Sequence, residues 1–306
     1  MAVLVTGAEA PRFSRAPADD RDEYLDTLGA RIGRTGSALC LGLDPDPDAL
    51  PDGFPPNVEG IERFVRLLLD VAAPFASAVK PNLAFYEALG SAGIAALERL
   101  RSRVPPDLPL IADAKRADIR STSARHAAAL YDALDADAVT ANPYLGAEAI
   151  EPLLARRDRF VYVLCRTSNP GAGELQDLAV APDREQGWPE EPLHVRVARR
   201  AATWQVEFGT VGLVVGATAP GDLGRVRDAA PDLPFLVPGV GAQGGDVASV
   251  IEQGQASSGR AARLPGGALL VNVSRGIAAA TVGRNDPEAA VAAAAAEWSR
   301  RLQVLG

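Results

Sequence analysis

Three charged side chains follow a short apolar run near the middle of the chain. Asp113, Lys115 and Asp118 come directly after residues 109–112, a run typical of a buried strand behind a proline-rich turn. Because residues two apart on a strand share a face, Asp113 and Lys115 should point the same way at the strand's carboxyl end. One such pair is equally typical of a salt bridge that closes a strand end. Three charges in the spacing D-x-K-x-x-D favour a catalytic or binding site.

Two more charged residues follow earlier apolar runs. Asp44 opens the turn sequence D-P-D-P, and Lys80 stands before Pro-Asn. Asp44 alone is typical of a turn or a cap, whereas a lysine at the end of an apolar run is costly to bury unless it is paired. Together with Asp113 and Lys115 these residues would alternate two carboxylates with two ammonium groups, and the carboxylates would keep both lysines protonated.

Eight short apolar runs alternate with segments of helical periodicity. They are residues 37–43, 75–79, 109–112, 137–141, 160–164, 211–215, 234–237 and 268–273. This alternation predicts an α/β protein, and polar residues after nearly every run favour a single (β/α)8 TIM barrel over a doubly wound open sheet. We expect residues 1–22 to be a flexible N-terminal arm and residues 23–306 to form the barrel.

Composition excludes several classes of function. The net charge of −8 and the lack of a basic stripe argue against a nucleic-acid partner. No apolar run approaches the ~20 residues of a membrane span, and the N-terminal apolar patch is too short for a signal peptide. Cys40 and Cys165 each lie within an apolar run, which predicts buried thiols, and no His/Cys/carboxylate cluster suggests zinc. These features predict a cytoplasmic enzyme.

A phosphate site is indicated after the last two apolar runs. The glycine-rich residues 239–245 follow the seventh run, and Ser274-Arg275-Gly276 follows the eighth. In barrels of this kind these two loops often hold a phosphate, because glycines let backbone N–H groups approach an anion and a following helix start adds a favourable dipole. Arg275 could bind the phosphate in a bidentate manner. A phosphorylated small molecule is therefore the expected ligand.

The charged residues suit a decarboxylation. A carboxylate fixed beside a substrate carboxylate disfavours the bound ground state, and loss of CO₂ relieves the repulsion. A neighbouring ammonium group, here Lys115, can then stabilise and protonate the carbanion.

Six motifs in order resemble the orotidine 5′-phosphate decarboxylase family, in its longer bacterial and archaeal subgroup. They are L-G-L-D-P at 41–45, V-K-P-N at 79–82, D-A-K-R-A-D-I at 113–119 with Thr122, T-S-N-P-G at 167–171, P-G-V-G-A-Q-G-G at 238–245 and V-S-R-G at 273–276. The D-x-K-x-x-D motif also occurs in sugar-phosphate relatives, but the whole set is specific. The chain departs from compact family members in its N-terminal arm, in residues 172–192, which could form a lid or substrate loop, and around residues 254–267.

The resemblance implies conversion of orotidine 5′-phosphate to UMP, the last step of de novo pyrimidine biosynthesis, without a metal or organic cofactor. Lys115 would protonate C6 of the pyrimidine, with Asp113 beside the leaving carboxylate. Asp44 and Lys80 would bind ribose hydroxyls and complete the network.

The resemblance also implies residues that bind the substrate from other loops. Asp118 and Thr122, with Ile119 between them, would serve the partner subunit's site, which implies a homodimer with shared active sites. The remaining substrate-binding positions are Ser168 at the pyrimidine amide edge, Gln243 and Arg275 at the phosphate, and the loop glycines Gly241 and Gly276.

Two alternatives remain open from the sequence. One is a sugar-phosphate decarboxylase or aldolase of the same barrel group, which would need a divalent metal to stabilise an enediolate. The other is a catalytically silent nucleotide-binding barrel, although none of the expected lysines or carboxylates is replaced.

Overall fold

All eight predicted strands form, and they pair in one parallel sheet. The structure, a computed structural model, describes residues 23–217, 220–240 and 244–305. The strands are β1 (Leu39–Gly42), β2 (Ala78–Lys80), β3 (Ile111–Arg116), β4 (Ala138–Ala141), β5 (Phe160–Arg166), β6 (Val211–Val215), β7 (Phe235–Pro238) and β8 (Leu270–Val273). Each strand pairs with its neighbours in sequence, and β8 pairs with β1. Backbone bridges from Val79 to Leu110 and from Asn82 to Asp113 join β2 to β3. This confirms the (β/α)8 TIM barrel.

Helices surround the sheet, and long ones such as Val58–Ala72 bury an apolar face. The helices are Glu23–Thr35, Val58–Ala72, Leu83–Glu87, Gly90–Arg101, Arg120–Ala127, Ala147–Leu154, Gly173–Gln176, Leu193–Phe208, Pro220–Ala229, Val247–Gly254, Arg275–Ala278 and Pro287–Arg301. In Val58–Ala72 the buried residues include Ile61, Phe64, Val65 and Leu68, the spacing expected of one helical face. Asn57 caps this helix by accepting a hydrogen bond from the backbone N–H of Gly60.

Strand side chains alternate between two apolar layers. Leu39, Leu41 and Val79 belong to the layer between the sheet and the helices. Cys40, on the opposite parity, belongs to the layer inside the barrel. Cys40 and Cys165 are both buried free thiols, as predicted.

The amino-terminal end of the barrel is closed by the first helix and the segment before β8. Tyr24 and Leu28 of the helix are buried in the inner layer, where the ring of Tyr24 stacks on Phe160 at 4.8 Å between centroids. The predicted insert at residues 254–267 lies here, and Leu264 packs against Gly29. The predicted arm, residues 1–22, lies outside the described residues. Within the described part of the chain, no helix has the length and hydropathy to cross a membrane.

The segment at residues 172–192 contains regular structure that the sequence did not predict. It includes the helix Gly173–Gln176 and an antiparallel pair formed by Ala179–Val180 and Glu191–Pro192. Glu191 binds Arg196 and Arg199 of the helix that follows. These short elements lack a detectable period because they are only two to four residues long.

Candidate active site

A buried carboxylate, Asp113, lies between two ammonium groups at the carboxyl end of the barrel. Lys80 Nζ is 2.8 Å from Asp113 Oδ2, and Lys115 Nζ is 2.6 Å from Asp113 Oδ1. Thr140 Oγ1 also donates to Asp113 Oδ1 at 2.8 Å. Lys80 and Asp113 are only 4% and 9% exposed, so this charged group is removed from water while the Lys115 side chain remains 47% exposed.

The strands themselves place these charges. Ala78 and Ile111 belong to the inner apolar layer, and Lys80 and Asp113 stand two residues further along the same strands. Side chains two apart share a face, so both point into the barrel mouth. The sequence predicted a shared face for Asp113 and Lys115 and made no such prediction for Lys80. Strands β2 and β3 also continue through the charged residues and do not end before them.

Lys115 lies at an irregularity in β3. The register between β3 and β4 shifts between Ala112 and Arg116, and Lys115 has φ of +50°. Its backbone N–H donates to Thr140 Oγ1 at 2.9 Å, so a side chain replaces a partner in the strand ladder. A non-glycine residue in this conformation is strained, and such strain is concentrated at functional sites. The irregularity supports a functional role for Lys115.

The electrostatics keep the site ionised. Burial alone would raise the pKa of the Asp113 carboxyl, but Lys80 and Lys115 hold that pKa well below its ordinary value. Burial opposes the charged form of Lys80, but the attraction of Asp113 and then Asp44 holds the Lys80 pKa above its ordinary value. Opposite charges at hydrogen-bond distance therefore outweigh desolvation for both groups.

The complete sequence contains two lysines, Lys80 and Lys115, among 31 lysines and arginines. The other 29 basic residues are arginines, so lysine occurs in this chain only at the site. An ammonium group is compact and can lose its proton, whereas a guanidinium group stays charged. This compositional signal was available in the sequence and supports a role in proton transfer for one of the two lysines.

A cavity of about 490 Å³ opens beside the charged group. The predicted site residues that line it are Asp44, Lys80, Asp113, Ser168, Arg275 and Gly276. Asp44 Oδ1 also accepts the backbone N–H of Asn82 at 3.1 Å. Residues from five different strand ends thus converge on one space, which has the size of a pocket for a small organic ligand.

The loops after β7 and β8 form one wall of this cavity. Gly239, which has φ of +98°, and Ser274 line the wall with Arg275 and Gly276. The helix Val247–Gly254 offers less to an anion than expected, because Asp246 accepts its backbone N–H groups at positions 248 and 249. The predicted Gly241 and Gln243 lie outside the described residues.

Asp118, Ile119 and Thr122 are not brought to the cavity of their own chain. Asp118 Oδ1 accepts the backbone N–H of Ile119 at 2.6 Å, and within the described residues it forms no ion pair with Lys80 or Lys115. Ile119 is 64% exposed. A role for these three residues in a neighbouring subunit's site remains a prediction.

Two residues of this region were not predicted. Thr140 binds Asp113 from β4, and Asn272 lines the cavity from β8. The Oδ1 atom of Asn272 is buried without a hydrogen-bond partner in the described structure. Each is a single polar residue within an apolar run, a signal visible in the sequence.

A second polar cluster lies behind the loop after β5. The ligand atoms of Asp177, His194 and Asp222 lie within 4.8 Å of one another, which is close enough to hold a metal ion. However, Arg166 binds Asp222 Oδ2 at 2.9 Å and Asp177 Oδ2 at 3.3 Å. Because this guanidinium group already pairs with one oxygen of each carboxylate, we interpret the cluster as an ion-pair network.

Comparison with known proteins agrees with this geometry. The family model described as "Orotidine 5'-phosphate decarboxylase / HUMPS family" matches residues 37–294. The orotidine 5′-phosphate decarboxylase of Thermomicrobium roseum is 48% identical over 271 residues, covering 89% of this chain and 92% of that protein. The archaeal enzyme of the same name from Halorubrum lacusprofundi is 46% identical over 285 residues, covering 92% and 97%.

Solved structures give the same result. The OMP decarboxylase of Leishmania donovani superimposes with a TM-score of 0.74 at 36% identity, covering 91% of this chain and 98% of that one. A Toxoplasma gondii structure titled as a putative orotidine-monophosphate-decarboxylase gives a TM-score of 0.78 at 35% identity, covering 92% and 98%.

Proposed function

The chain belongs to the orotidine 5′-phosphate decarboxylase / HUMPS family, and we propose that it is a cytoplasmic enzyme that decarboxylates orotidine 5′-phosphate to UMP at the charged cavity. The observation that carries the proposal is Asp113, an ionised carboxylate held by two ammonium groups on a cavity of about 490 Å³.

The charged group supplies the chemistry. A substrate carboxylate bound beside Asp113 is repelled by the negative charge of the Asp113 carboxylate. Asp113 does not relieve this repulsion by taking up a proton, because Lys80 and Lys115 keep its pKa low. The bond from C6 to the carboxylate then breaks, CO₂ leaves, and the electron pair remains on C6. Lys115 Nζ transfers a proton to C6 and is later reprotonated from water. The ammonium group thus stabilises charge that exists only after the bond begins to break.

The cavity walls supply binding. Lys80, Asp44 and Ser168 line the cavity. In the proposed complex Lys80 and Asp44 hold the ribose hydroxyl groups, and Ser168 contacts the pyrimidine. Arg275 and Gly276 lie on the wall formed by the loops after β7 and β8, where barrels often bind phosphate. A guanidinium group suits this position because it can bind two phosphate oxygens at once.

We also propose a homodimer in which Asp118, Ile119 and Thr122 complete the partner subunit's site. Three large apolar side chains are exposed in the loops after the neighbouring strands β3 and β4, with Ile119 64%, Tyr144 77% and Leu145 58% exposed. Exposed apolar residues next to a polar site are typical of a protein interface. A second copy of the chain would cover them.

The proposal is tested by assaying wild-type protein with orotidine 5′-phosphate in excess chelator. We expect formation of UMP and CO₂ at a rate that the chelator does not change. An activity that requires a divalent metal and ignores orotidine 5′-phosphate would instead identify the sugar-phosphate alternative. Binding of UMP without turnover would identify a silent nucleotide-binding barrel.

The shared site has its own test. Lys115→Ala and Asp118→Ala chains should each be inactive alone, and a mixture should regain up to about a quarter of wild-type activity, since about half of random dimers are mixed and each holds one intact site. Mass spectrometry of tagged chains verifies that mixed dimers form. If verified mixed dimers stay inactive, the two residues do not serve a site shared between subunits.

A further inference from the structure

The side chain of Gln176 connects the segment at residues 172–192 to the loop after β5. Gln176 Oε1 accepts the backbone N–H of Thr167 at 2.8 Å, and Gln176 Nε2 donates to Thr167 Oγ1 at 3.0 Å. Thr167 is the residue directly before Ser168, which lines the cavity. One amide group therefore fixes both the backbone and the side chain of the residue that carries Ser168 into the cavity.

The backbone of Gln176 is itself held by a hydrogen bond from His194. Its backbone carbonyl oxygen accepts a hydrogen bond from Nδ1 of the buried His194 at 2.8 Å. A carbonyl can only accept, so His194 carries a proton on Nδ1. His194 belongs to the helix Leu193–Phe208, a long element packed against the barrel. The contact thus runs from a rigid helix through Gln176 to the cavity wall.

Ser168 is confined on its other side by Gly216, the residue after β6. The backbone N–H of Gly216 donates to the carbonyl of Arg166 at 2.7 Å. A Cβ atom at Gly216 would lie 2.8 Å from the backbone nitrogen of Ser168, a distance that real side chains do not reach. Ser168 is therefore confined by the backbone of Gly216 on one side and by the contacts of Gln176 with Thr167 on the other. Loss of the Gly216 contact or of the Gln176 contacts would let Ser168 move.

We propose that Gln176 is a positioning residue for the pyrimidine half of the substrate, acting through Thr167 on Ser168. This inference rests on the proposed function, since it takes Ser168 to face the pyrimidine. It also gives the segment at residues 172–192 a role, because Gln176 in this segment holds the loop after β5 that carries Ser168. A hydrogen-bonding group held within a fraction of an ångström discriminates its ligand better than a loose one.

The test compares two competitive inhibitors of orotidine 5′-phosphate turnover, UMP and ribose 5-phosphate, in Gln176→Leu. Leucine fills similar space but leaves the Thr167 backbone N–H without its acceptor. We expect the inhibition constant of UMP to rise about 5- to 20-fold, because a partly buried N–H group is left without its acceptor. The constant for ribose 5-phosphate, which has no base, should stay within about 2-fold.

Two further variants separate positioning from general destabilisation. Gln205 makes a similar two-sided contact at the other end of β6, accepting the backbone N–H of Val211 at 2.8 Å and donating to the carbonyl of Gly209 at 3.3 Å. Gln205→Leu should lose stability without changing either inhibition constant. Gln176→Glu, which keeps the acceptor for Thr167, should bind UMP within about 3-fold of wild type.

A double-mutant cycle with Ser168→Ala completes the test. If Gln176 acts through Ser168, then Gln176→Leu should weaken UMP binding far less in the Ser168→Ala background than in wild type. Additive effects, or equal losses for UMP and ribose 5-phosphate, would overturn the proposal. If Gln176→Leu does not fold, Thr167→Val removes one of the two contacts and should give a smaller shift in the same direction. A wild-type protein that does not turn over orotidine 5′-phosphate would reject the proposed function instead.

Discussion

The two ends of the barrel interior are built from opposite kinds of residue. At the amino-terminal end, the rings of Tyr24 and Phe160 stack, and Tyr162 meets both rings edge-on. The two tyrosine hydroxyl groups share a hydrogen bond of 3.0 Å. At the carboxyl end, Lys80 and Asp113 form a buried ion pair. On β2 and β3 the inward-facing side chain changes from apolar to charged within two residues, from Ala78 to Lys80 and from Ile111 to Asp113.

The difference separates stability from function. Buried aromatic rings contribute area and packing, and the two tyrosine hydroxyls share a hydrogen bond. A buried ion pair loses hydration on both partners and often contributes little net stability, although removing one partner is costly. The apolar end therefore stabilises a barrel whose charged end is kept for its chemistry. Variants at the two ends should separate these two properties.

The largest effect should come from Lys115→Ala at the charged end. Loss of the proton donor should lower kcat by about 10³-fold or more. The UMP inhibition constant should change little, and the thermal midpoint should stay near that of wild type, because Asp113 keeps its contacts with Lys80 and Thr140. Stopped-flow or spectrophotometric assays and thermal unfolding measure the three quantities. Turnover near the wild-type rate would reject the assigned role of Lys115.

Tyr24→Ala at the apolar end should have the opposite effect, a loss of stability without a loss of activity. The ring is 3% exposed, so its removal should lower the free energy of unfolding by about 3–5 kcal/mol. The kcat measured at low temperature should not change. Tyr24→Phe is the matched control, since it loses only the hydroxyl contact with Tyr162 and should cost about 1 kcal/mol. A folded Tyr24→Ala enzyme with a much lower kcat would contradict the division between the two ends.

The sequence predicted the charged end better than its surroundings. Asp113 and Lys115 were predicted to share a face because side chains alternate along a strand, and Lys80 was singled out because an unpaired buried lysine is costly. Parity gave no account of the positive φ of Lys115, since lysine has no preference for that conformation. Parity also could not identify Thr140, which contacts Asp113 only because β4 lies beside β3.

Gln176 shows the other limit of prediction from sequence. It lies in a segment without hydrophobic periodicity, and its partners, Thr167 and His194, are 9 and 18 residues away. Such contacts depend on how the loops after different strands meet, which local sequence patterns do not specify. Similarly, Asp118 occupies a motif position, but among the described residues it does not line the cavity of its own chain. Its predicted role therefore depends on a second chain.

A smaller effect is expected on the stability of the protein in acid. The pH dependence of the free energy of unfolding should arise at the charged end of the barrel. Because the Asp113 pKa is lowered in the folded protein, its carboxylate contributes stability that is present above the ordinary value of about 3.9. This contribution is lost as the pH falls toward the folded pKa, since the unfolded chain then binds a proton that the folded chain does not. The free energy of unfolding should therefore fall by up to about 1.4 kcal/mol per pH unit from this one group.

The check is the acid limb of the stability curve in wild type and in Asp113→Asn, measured by urea unfolding between about pH 5 and pH 2.5. The variant should start lower, because Lys80 loses its buried partner, but its stability should fall less steeply with acid. Tyr24→Phe, which changes the apolar end, should keep the wild-type slope, since tyrosine does not titrate in acid. If the free energy of unfolding falls equally steeply with acid in wild type and in Asp113→Asn, other groups cause the acid sensitivity. The buried pair of Lys80 and Asp113 would then not account for the pH dependence of stability.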